Sequence, residues 1–171
     1  TTTSFLADKL REKGKEVFWH TSAHVLAQAV LRIFPEAIPT IGPAIDKGFY
    51  YDFAGLTISD KDFDLIEKEA KKIIHENHKP KKIIYKNKEE AIKAFENNRY
   101  KKELIEEKEG VFTGYQQGEF IDLCRGPHLP SLNKIKAFKI MKTSGAYWKG
   151  DQKNEMLTRI YGISFPDKKM L

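Results

Sequence analysis

Glycines that recur at short intervals through the last third of the chain are the strongest constraint on its fold. Between residues 111 and 165 they interrupt short apolar stretches, and they stand at positions 114, 118, 126, 145, 150 and 162. Short apolar stretches separated by glycine turns are typical of antiparallel strands. The pattern therefore predicts an antiparallel meander over 111–165.

Helix signals occupy most of the preceding sequence. Apolar residues recur at helical spacing from Trp19 up to Pro35, which predicts an amphipathic helix over 18–34. Ser59 followed by Asp62 is the capping pattern of a helix N-terminus. The other predicted elements are a hairpin over 40–53 that turns at Gly48, a helix from Ser59 to about residue 77, a strand over 81–86, a helix from Asn87 to about residue 97 and a helix that ends before Gly110. Helices followed by antiparallel strands predict the α+β class, with an antiparallel sheet packed against helices in one domain.

Hydropathy and cysteine content limit the setting of the protein. The sequence contains no apolar run of the about 18 residues that a membrane-spanning helix needs. It has one cysteine in 171 residues, so an internal disulfide cannot form. These features predict a cytoplasmic protein without a membrane partner.

The excess of positive charge is concentrated near the C-terminal end. The whole chain carries a net charge of +6, whereas residues 134–153 alone contain six lysines and one aspartate. Phe138, Tyr147 and Trp148 lie among these lysines, and basic residues interleaved with aromatic ones are typical of nucleic-acid-binding surfaces. A solvated strand face is the alternative interpretation.

Two pairs of potential metal ligands stand about a hundred residues apart. His20 and His24 form H-x-x-x-H on the first predicted helix, and Cys124 and His128 form C-x-x-x-H across the turn sequence RGP. Three imidazole nitrogens and one sulfur can complete a tetrahedral zinc shell. The alternative is structural, with His20 at the edge of the core and Cys124 as an inert buried thiol. The joint occurrence of both pairs favours a functional site.

Five stretches, in order, resemble a known family: FWHTSAHVLAQAV, TIGPAIDKGFYYDF, DLCRGPHLP, MKTSGAYWKGD and RIYG. They are similar to the N-terminal editing domain of bacterial-type threonyl-tRNA synthetases, whose fold is shared with the alanyl-tRNA synthetase editing domain. The resemblance implies an editing domain over 17–171, preceded by a linker or frayed segment over 1–16. Family members carry a ubiquitin-like domain before this region and a class II catalytic core after it. The chain is therefore expected to be a fragment of a longer synthetase, with a freestanding editing factor as the alternative.

The resemblance implies hydrolysis of serine esters that have been formed by mistake on threonine-specific tRNA. The ester links serine to the 3′ hydroxyl of the terminal adenosine, and a positioned water attacks it directly. Threonine exceeds serine by one methyl group, which is worth only about 1–3 kcal/mol in binding, so a synthetic site cannot reject serine strongly. The expected partners are the mischarged tRNA and the rest of the synthetase, whose full-length form is expected to be a homodimer.

Site residues carried over from the family fall into two groups. The expected catalytic group consists of His20, His24, Lys101, Asp122, Cys124 and His128. In this group His20 and Lys101 position or activate the water, with Lys102 as a rival for the lysine role, and the thiolate of Cys124 helps to hold the serine. The expected adenosine-binding group consists of Gly42, Tyr51, Asp52 and Tyr161, although strand tyrosines also occur as core residues.

The resemblance and the ligand spacing disagree about metal. The threonyl branch is expected to edit without a cofactor, whereas in the alanyl branch the four His and Cys residues hold zinc, so zinc remains the alternative here. A non-catalytic tRNA-binding module is a further alternative. A covalent mechanism through Cys124 is disfavoured because an activated ester already reacts with water.

Overall fold

The computed structural model describes the backbone of residues 2–170 and the side chains of residues 11–170. Its helices and strands in chain order are α1 (Thr2–Ile33), β1 (Ile38–Pro39), β2 (Ala44–Ile45), β3 (Gly48–Ala54), α2 (Asp60–Glu76), β4 (Lys81–Tyr85), α3 (Lys88–Ala94), α4 (Arg99–Glu107), β5 (Phe112–Gln117), β6 (Phe120–Leu123), β7 (Ala137–Tyr147) and β8 (Met156–Phe165). The α+β class is confirmed. Over the described backbone, none of the helices has the length and hydropathy that would let it cross a bilayer.

Two separate antiparallel sheets contain the strands. The larger sheet has the order β1-β3-β8-β7 with β2 added beside β3, and the smaller sheet has the order β4-β5-β6. The single meander predicted over 111–165 is therefore wrong, because β5 and β6 belong to the smaller sheet and β7 and β8 to the larger. Pro127 and Pro130 follow β6 and lack the N–H that a sheet ladder needs, so the chain leaves the first sheet there.

Helix α1 runs through the centre of the molecule. It contacts α2, β2, β3 and β8, and every residue from Thr21 to Val30 is buried. The prediction of an amphipathic helix over 18–34 was therefore wrong in two respects. The helix is enclosed on all sides over 21–30, and it begins at Thr2 instead of near residue 18. The division into a linker over 1–16 and a domain over 17–171 stays a prediction.

The main core lies between α1 and the larger sheet. Phe49, Tyr51 and Phe53 alternate along β3, share one face and are fully buried against α1. The predicted hairpin is confirmed. Its turn is formed by Asp46 and Lys47 before Gly48, which has a φ of 114° that favours glycine.

Capping residues fix the ends of the surface helices as predicted. Ser59 and Asp62 form a capping box at the start of α2, and the Asn87 side chain accepts a hydrogen bond from the Glu90 N–H at the start of α3. The Asn98 side chain caps α4 and also donates to the Pro39 carbonyl oxygen at 2.7 Å. This second bond ties the start of α4 to the larger sheet.

The connection between β7 and β8 holds the other side of α4. The Trp148 indole N–H donates to Glu103 at 2.6 Å, and the Tyr100 hydroxyl donates to Glu155 at 2.5 Å. Lys149 forms ion pairs with Glu103 and Glu107. Helix α4 is therefore fixed at its start and along its length, which determines where its buried lysine lies.

Candidate active site

A buried carboxylate on β6 is the centre of the site. Asp122 accepts a charge-assisted bond of 2.6 Å from the Lys101 ammonium of α4 and a bond of 2.6 Å from the Tyr51 hydroxyl of β3. The His24 Nε2 of α1 lies 3.2 Å from the same carboxylate. All four side chains are almost completely buried. Four elements that are distant in sequence therefore converge on one carboxylate.

The charge states of this cluster follow from its burial and its contacts. Burial alone would raise the pKa of Asp122, but Lys101, His24 and the Tyr51 hydrogen bond oppose it and hold this pKa at about 2. Burial lowers the pKa of His24 to about 3, so its imidazole is neutral at pH 7. A neutral imidazole beside a carboxylate donates from the nitrogen that faces it, which is Nε2. The His24 Nδ1 is then an acceptor, and it has no partner among the described residues.

Next to this carboxylate, three further side chains meet around a sulfur atom. The Cys124 Sγ lies 3.4 Å from the His20 Nε2 and 3.3 Å from the His128 Nε2, and the Gly126 backbone N–H donates to it at 3.2 Å. Burial raises the pKa of Cys124 to about 12, so its side chain is a neutral thiol. The expected thiolate is therefore wrong for the protein alone. Burial also lowers the pKa of His20 and lowers that of His128 to about 2, so both imidazoles are neutral.

The turn after β6 holds Cys124 and His128 in place. Gly126 has a φ of 76°, and a Cβ there would lie 2.2 Å from the Tyr115 hydroxyl oxygen, so no larger residue fits. The Tyr115 ring stacks on the His128 imidazole with centroids 4.2 Å apart and planes 7° from parallel. Tyr115 was not predicted from the sequence. The only sequence feature that could have indicated it is the alternation of side chains along β5, which places it on the same face as Thr113 and Gln117. The Leu129 backbone N–H donates to the Thr21 hydroxyl at 3.0 Å, which ties the turn to α1.

A cavity of about 460 Å³ opens onto both groups of side chains. Its polar wall includes His20, His24, Lys101, Asp122 and Cys124, and its apolar wall contains Ile41, Gly42, Pro43, Ala44, Leu104, Val111, Phe112 and Leu123. A volume of this size accommodates a small molecule, and polar groups that converge on one wall of an apolar pocket are typical of a ligand site. Of the two rival lysines, Lys101 is the one that reaches the carboxylate and lines the cavity.

The residues expected to bind adenosine are not brought together. Gly42 lines the cavity and packs on the Tyr51 ring, since a Cβ there would lie 2.0 Å from the Tyr51 Cδ2. Tyr51 is fully buried and its hydroxyl binds Asp122, so its ring has no open face for stacking.

Asp52 and Tyr161 lie on the opposite face of the larger sheet. Asp52 follows Tyr51 in β3, so the two side chains alternate in direction, and its carboxylate accepts two bonds from the Arg159 guanidinium at 2.8 and 2.9 Å. Tyr161 pairs with Tyr50 in the sheet register, and their rings are in edge-to-face contact. Neither residue lines the cavity, and the expectation that they join Tyr51 and Gly42 in one pocket is corrected.

The ligand pairs found in the sequence do form one cluster. One donor atom from each of His20, His24, Cys124 and His128 lies within 4.8 Å of the others. In a tetrahedral zinc site, sulfur and nitrogen ligands stand about 3.5 Å apart. The two sulfur-to-nitrogen distances of 3.4 and 3.3 Å match that separation. The four residues therefore supply donor types that zinc accepts, and two of the separations between them match a tetrahedral site.

The segment 134–153 has the exposed lysines, but only one of the three exposed aromatic residues, of the predicted nucleic-acid-binding surface. Phe138 and Trp148 are buried in the core, so of the three aromatic residues only Tyr147 is exposed. The six lysines are exposed, although Lys149 is paired with two glutamates of α4. The segment presents positive charge without the interleaved aromatic rings.

Sequence comparisons show which known proteins the chain is similar to. Residues 113–161 match the threonyl and alanyl tRNA synthetase second additional domain. The chain is 65% identical over 161 residues to a threonine–tRNA ligase of Protochlamydia amoebophila (strain UWE25), covering 93% of the chain and 25% of that protein. It is 56% identical over 161 residues to the threonine–tRNA ligase of Chlamydia caviae, with the same coverage of both chains. It is 55% identical over 165 residues to that of Caldanaerobacter subterraneus subsp. tengcongensis, covering 94% of the chain and 26% of that protein. The chain spans about a quarter of the length of the curated relatives it matches.

Proposed function

We propose that the chain, which is similar over 93% of its length to a threonine–tRNA ligase, is an editing domain that acts as an aminoacyl-tRNA deacylase. Its substrate is the ester that joins serine to the 3′ hydroxyl of the terminal adenosine of threonine-specific tRNA. The observation that carries the proposal is the buried cluster of Lys101, Asp122, Tyr51 and His24. Three of its members, Lys101, Asp122 and His24, line the cavity. Ionisable groups that are buried together beside a cavity are typical of catalytic sites.

His20 is the proposed base. Its imidazole lines the cavity, and burial lowers its pKa, so it is neutral at pH 7 and can accept a proton. A water held by this imidazole attacks the ester carbonyl carbon, and its proton passes to the imidazole. The bond from that carbon to the ribose 3′ oxygen then breaks, and the oxygen takes up this proton from the imidazolium and leaves as the free hydroxyl.

Lys101 is the proposed stabiliser of the negative charge that develops on the ester oxygen. An ammonium group has three N–H donors, and two of them are directed to Asp122 at 2.6 Å and to the Tyr51 hydroxyl at 3.3 Å. The third is available on the cavity side, where Lys101 contributes to the wall. A fixed positive charge in a site with little water stabilises an oxyanion strongly.

Selectivity is assigned to the rigid wall around Cys124. The Gly126 N–H binds the Cys124 sulfur, and His128, which contacts that sulfur, is held by the stacked Tyr115 ring, so Cys124 cannot retreat easily. Serine fits, whereas the additional methyl group of threonine meets steric repulsion and displaces the attacking water. Steric repulsion can therefore disfavour the threonine ester by more than the about 1–3 kcal/mol that a missing methyl contact is worth.

A deacylation assay with the two purified tRNA esters tests the proposal. We expect the serine ester to be hydrolysed more than about 200-fold faster than the threonine ester, which exceeds the effect of a lost methyl contact. Lys101→Met should abolish the activity, while the matched change Lys102→Met should retain it. Hydrolysis of the serine ester no faster than in buffer, with tRNA still bound, would identify a non-catalytic binding module. Equal rates for both esters would identify a nonspecific esterase.

A zinc-dependent deacylase is the second candidate, because the four His and Cys donor atoms lie within 4.8 Å of one another. Zinc bound there would supply a Lewis acid and deprotonate the thiol of Cys124. Metal analysis of the purified chain separates the two candidates. One zinc per chain, lost in Cys124→Ser, supports the zinc enzyme, and full deacylation by a chain without zinc supports the metal-free mechanism.

A further inference from the structure

The face of the smaller sheet that carries the catalytic residues extends beyond the cavity. Asp122 pairs with Tyr115 across β5 and β6, and Tyr115 pairs with Lys82 across β4 and β5. Ile84 pairs in the same way with Thr113, which lines the cavity. Side chains of paired residues lie on the same face of a sheet, and so do those two positions apart along a strand. Lys82 and Ile84 are therefore on the same face as Asp122.

This face has an apolar surface that nothing covers among the described residues. The Ile84 side chain is 67% exposed, and Val111, which precedes β5 and lines the cavity, is 76% exposed. They are the two most exposed large apolar side chains of the described part of the chain. The apolar wall of the cavity thus continues outward at its mouth.

Positive charge surrounds this apolar surface. Lys82, Lys108 and Arg125 are exposed, and none of them forms an ion pair with a carboxylate among the residues whose side chains are described. Lys108 and Arg125 line the cavity, and Lys82 lies on the sheet face that carries Asp122. The carboxylates of Glu16 and Glu109 also line the cavity, but that of Glu109 is paired with Lys88 at 2.9 Å. The uncompensated charge at the mouth is therefore mainly positive.

We propose that Lys82, Ile84, Val111 and Arg125, here called the mouth shelf, bind the nucleotide that precedes the terminal adenosine of an RNA 3′ end. The inference rests on the proposed function, which places the aminoacyl ester inside the cavity. An RNA chain continues only in the 5′ direction from its terminal adenosine, so the next phosphate and base must leave through the mouth. The base packs on the two apolar side chains, and the phosphate binds the two cations.

Comparison of two substrates of different length isolates the mouth shelf. One is the serine ester of adenosine, which ends inside the cavity, and the other is the serine ester of the trinucleotide cytidylyl-cytidylyl-adenosine. The smaller sheet offers matched controls on its opposite face, since Ile121 is also exposed, at 42%, and Lys81 is adjacent to Lys82. The variants are Ile84→Ala and Lys82→Ala, with Ile121→Ala and Lys81→Ala as controls.

We expect Ile84→Ala to lower kcat/KM for the trinucleotide ester by about fivefold, because part of an apolar side chain is lost from the contact. Lys82→Ala should reduce the slope of log(kcat/KM) against log salt concentration by about 0.7, the value for one phosphate of a single strand. Neither variant should change hydrolysis of the adenosine ester, and both controls should match the unmodified chain with both substrates.

Two results would overturn the inference without touching the proposed function. In one, Ile84→Ala and Lys82→Ala behave like their controls while the unmodified chain hydrolyses both esters. In the other, the two variants lose activity equally on both esters, which would place their effect inside the cavity. If the unmodified chain hydrolyses neither ester, the proposed function fails, and the mouth shelf fails with it.

Discussion

Removal of the Lys101 ammonium should destabilise the fold as well as stop catalysis. Lys101 and Asp122 are each 3% exposed, and their ion pair is 2.6 Å long. In Lys101→Met the stem of the side chain is kept, but the carboxylate stays buried with only the Tyr51 and His24 donors. Breaking a buried pair in this way costs about 3–5 kcal/mol. The pKa of Asp122 gives a smaller figure, because its fall from 3.8 to about 2 corresponds to about 2 kcal/mol. We therefore expect the free energy of unfolding to fall by about 2–5 kcal/mol at pH 7.

Urea unfolding followed by circular dichroism measures this loss, with Lys102→Met as the matched control. The double variant Lys101→Met/Asp122→Asn should recover most of the stability, since no buried charge is then left without its partner.

The pH dependence of the unfolding free energy has a fixed sign. The depressed pKa of Asp122 stabilises the native chain above pH 3.8, and this contribution is lost as the pH falls from 3.8 through 2. The difference in unfolding free energy between the native chain and Lys101→Met should therefore become smaller as the pH falls from 3.8 to 2. A loss below about 1 kcal/mol at pH 7, with no recovery in the double variant, would refute the buried pair.

Three further changes test other parts of the structure. His20→Ala should slow serine ester hydrolysis by at least about a hundredfold in single-turnover assays while urea unfolding changes little, and retained activity would remove His20 as the base. Gly126→Ala should lower the unfolding free energy by about 1–3 kcal/mol, because its φ is 76° and its Cβ would meet Tyr115. Gly14→Ala, with nothing within 4 Å, should not lower it. Raising salt from low to physiological concentration should weaken tRNA binding strongly through the lysines of 134–153, and a flat response in a filter-binding assay would exclude them.

Local signals in the sequence were sufficient to predict most elements but not their assembly. The caps at Ser59 and Asn87 depend on neighbouring residues alone, and α2 and α3 begin where these signals place them. Helix α4 ends at Glu107, before Gly110 as expected. The length of α1 and the separation of the strands into two sheets depend on contacts between distant segments. A turn after β6 looks alike in sequence whether the next strand returns to the same sheet or joins another.

In the candidate site, too, the sequence predicted local features but not the contacts between residues that are distant in sequence. The spacing of His20, His24, Cys124 and His128 predicted a cluster, and the structure brings the four together. Alternation along β3 is consistent with a buried Tyr51, whose burial the sequence predicted only as the alternative to adenosine binding. It could not predict that the Tyr51 hydroxyl reaches Asp122, which is 71 residues away in sequence. The direction of a side chain is a local property, whereas its partner is decided by the fold.

The buried cluster around Asp122 is difficult to explain by stability alone. Well-packed apolar side chains of similar volume are often at least as stable as a buried ion pair, because the charges lose their hydration on burial. Here the ion pair is completed by Tyr51 and His24, and it lies on the wall of a cavity. Two imidazole nitrogens nearby, the Nδ1 atoms of His24 and His128, are buried without partners among the described residues. Unpaired polar atoms cost free energy in a folded protein unless a bound group completes them. A fixed positive charge, the neutral imidazole of His20 and the unpaired Nδ1 of His24 beside one cavity are groups that the proposed hydrolysis by a positioned water requires.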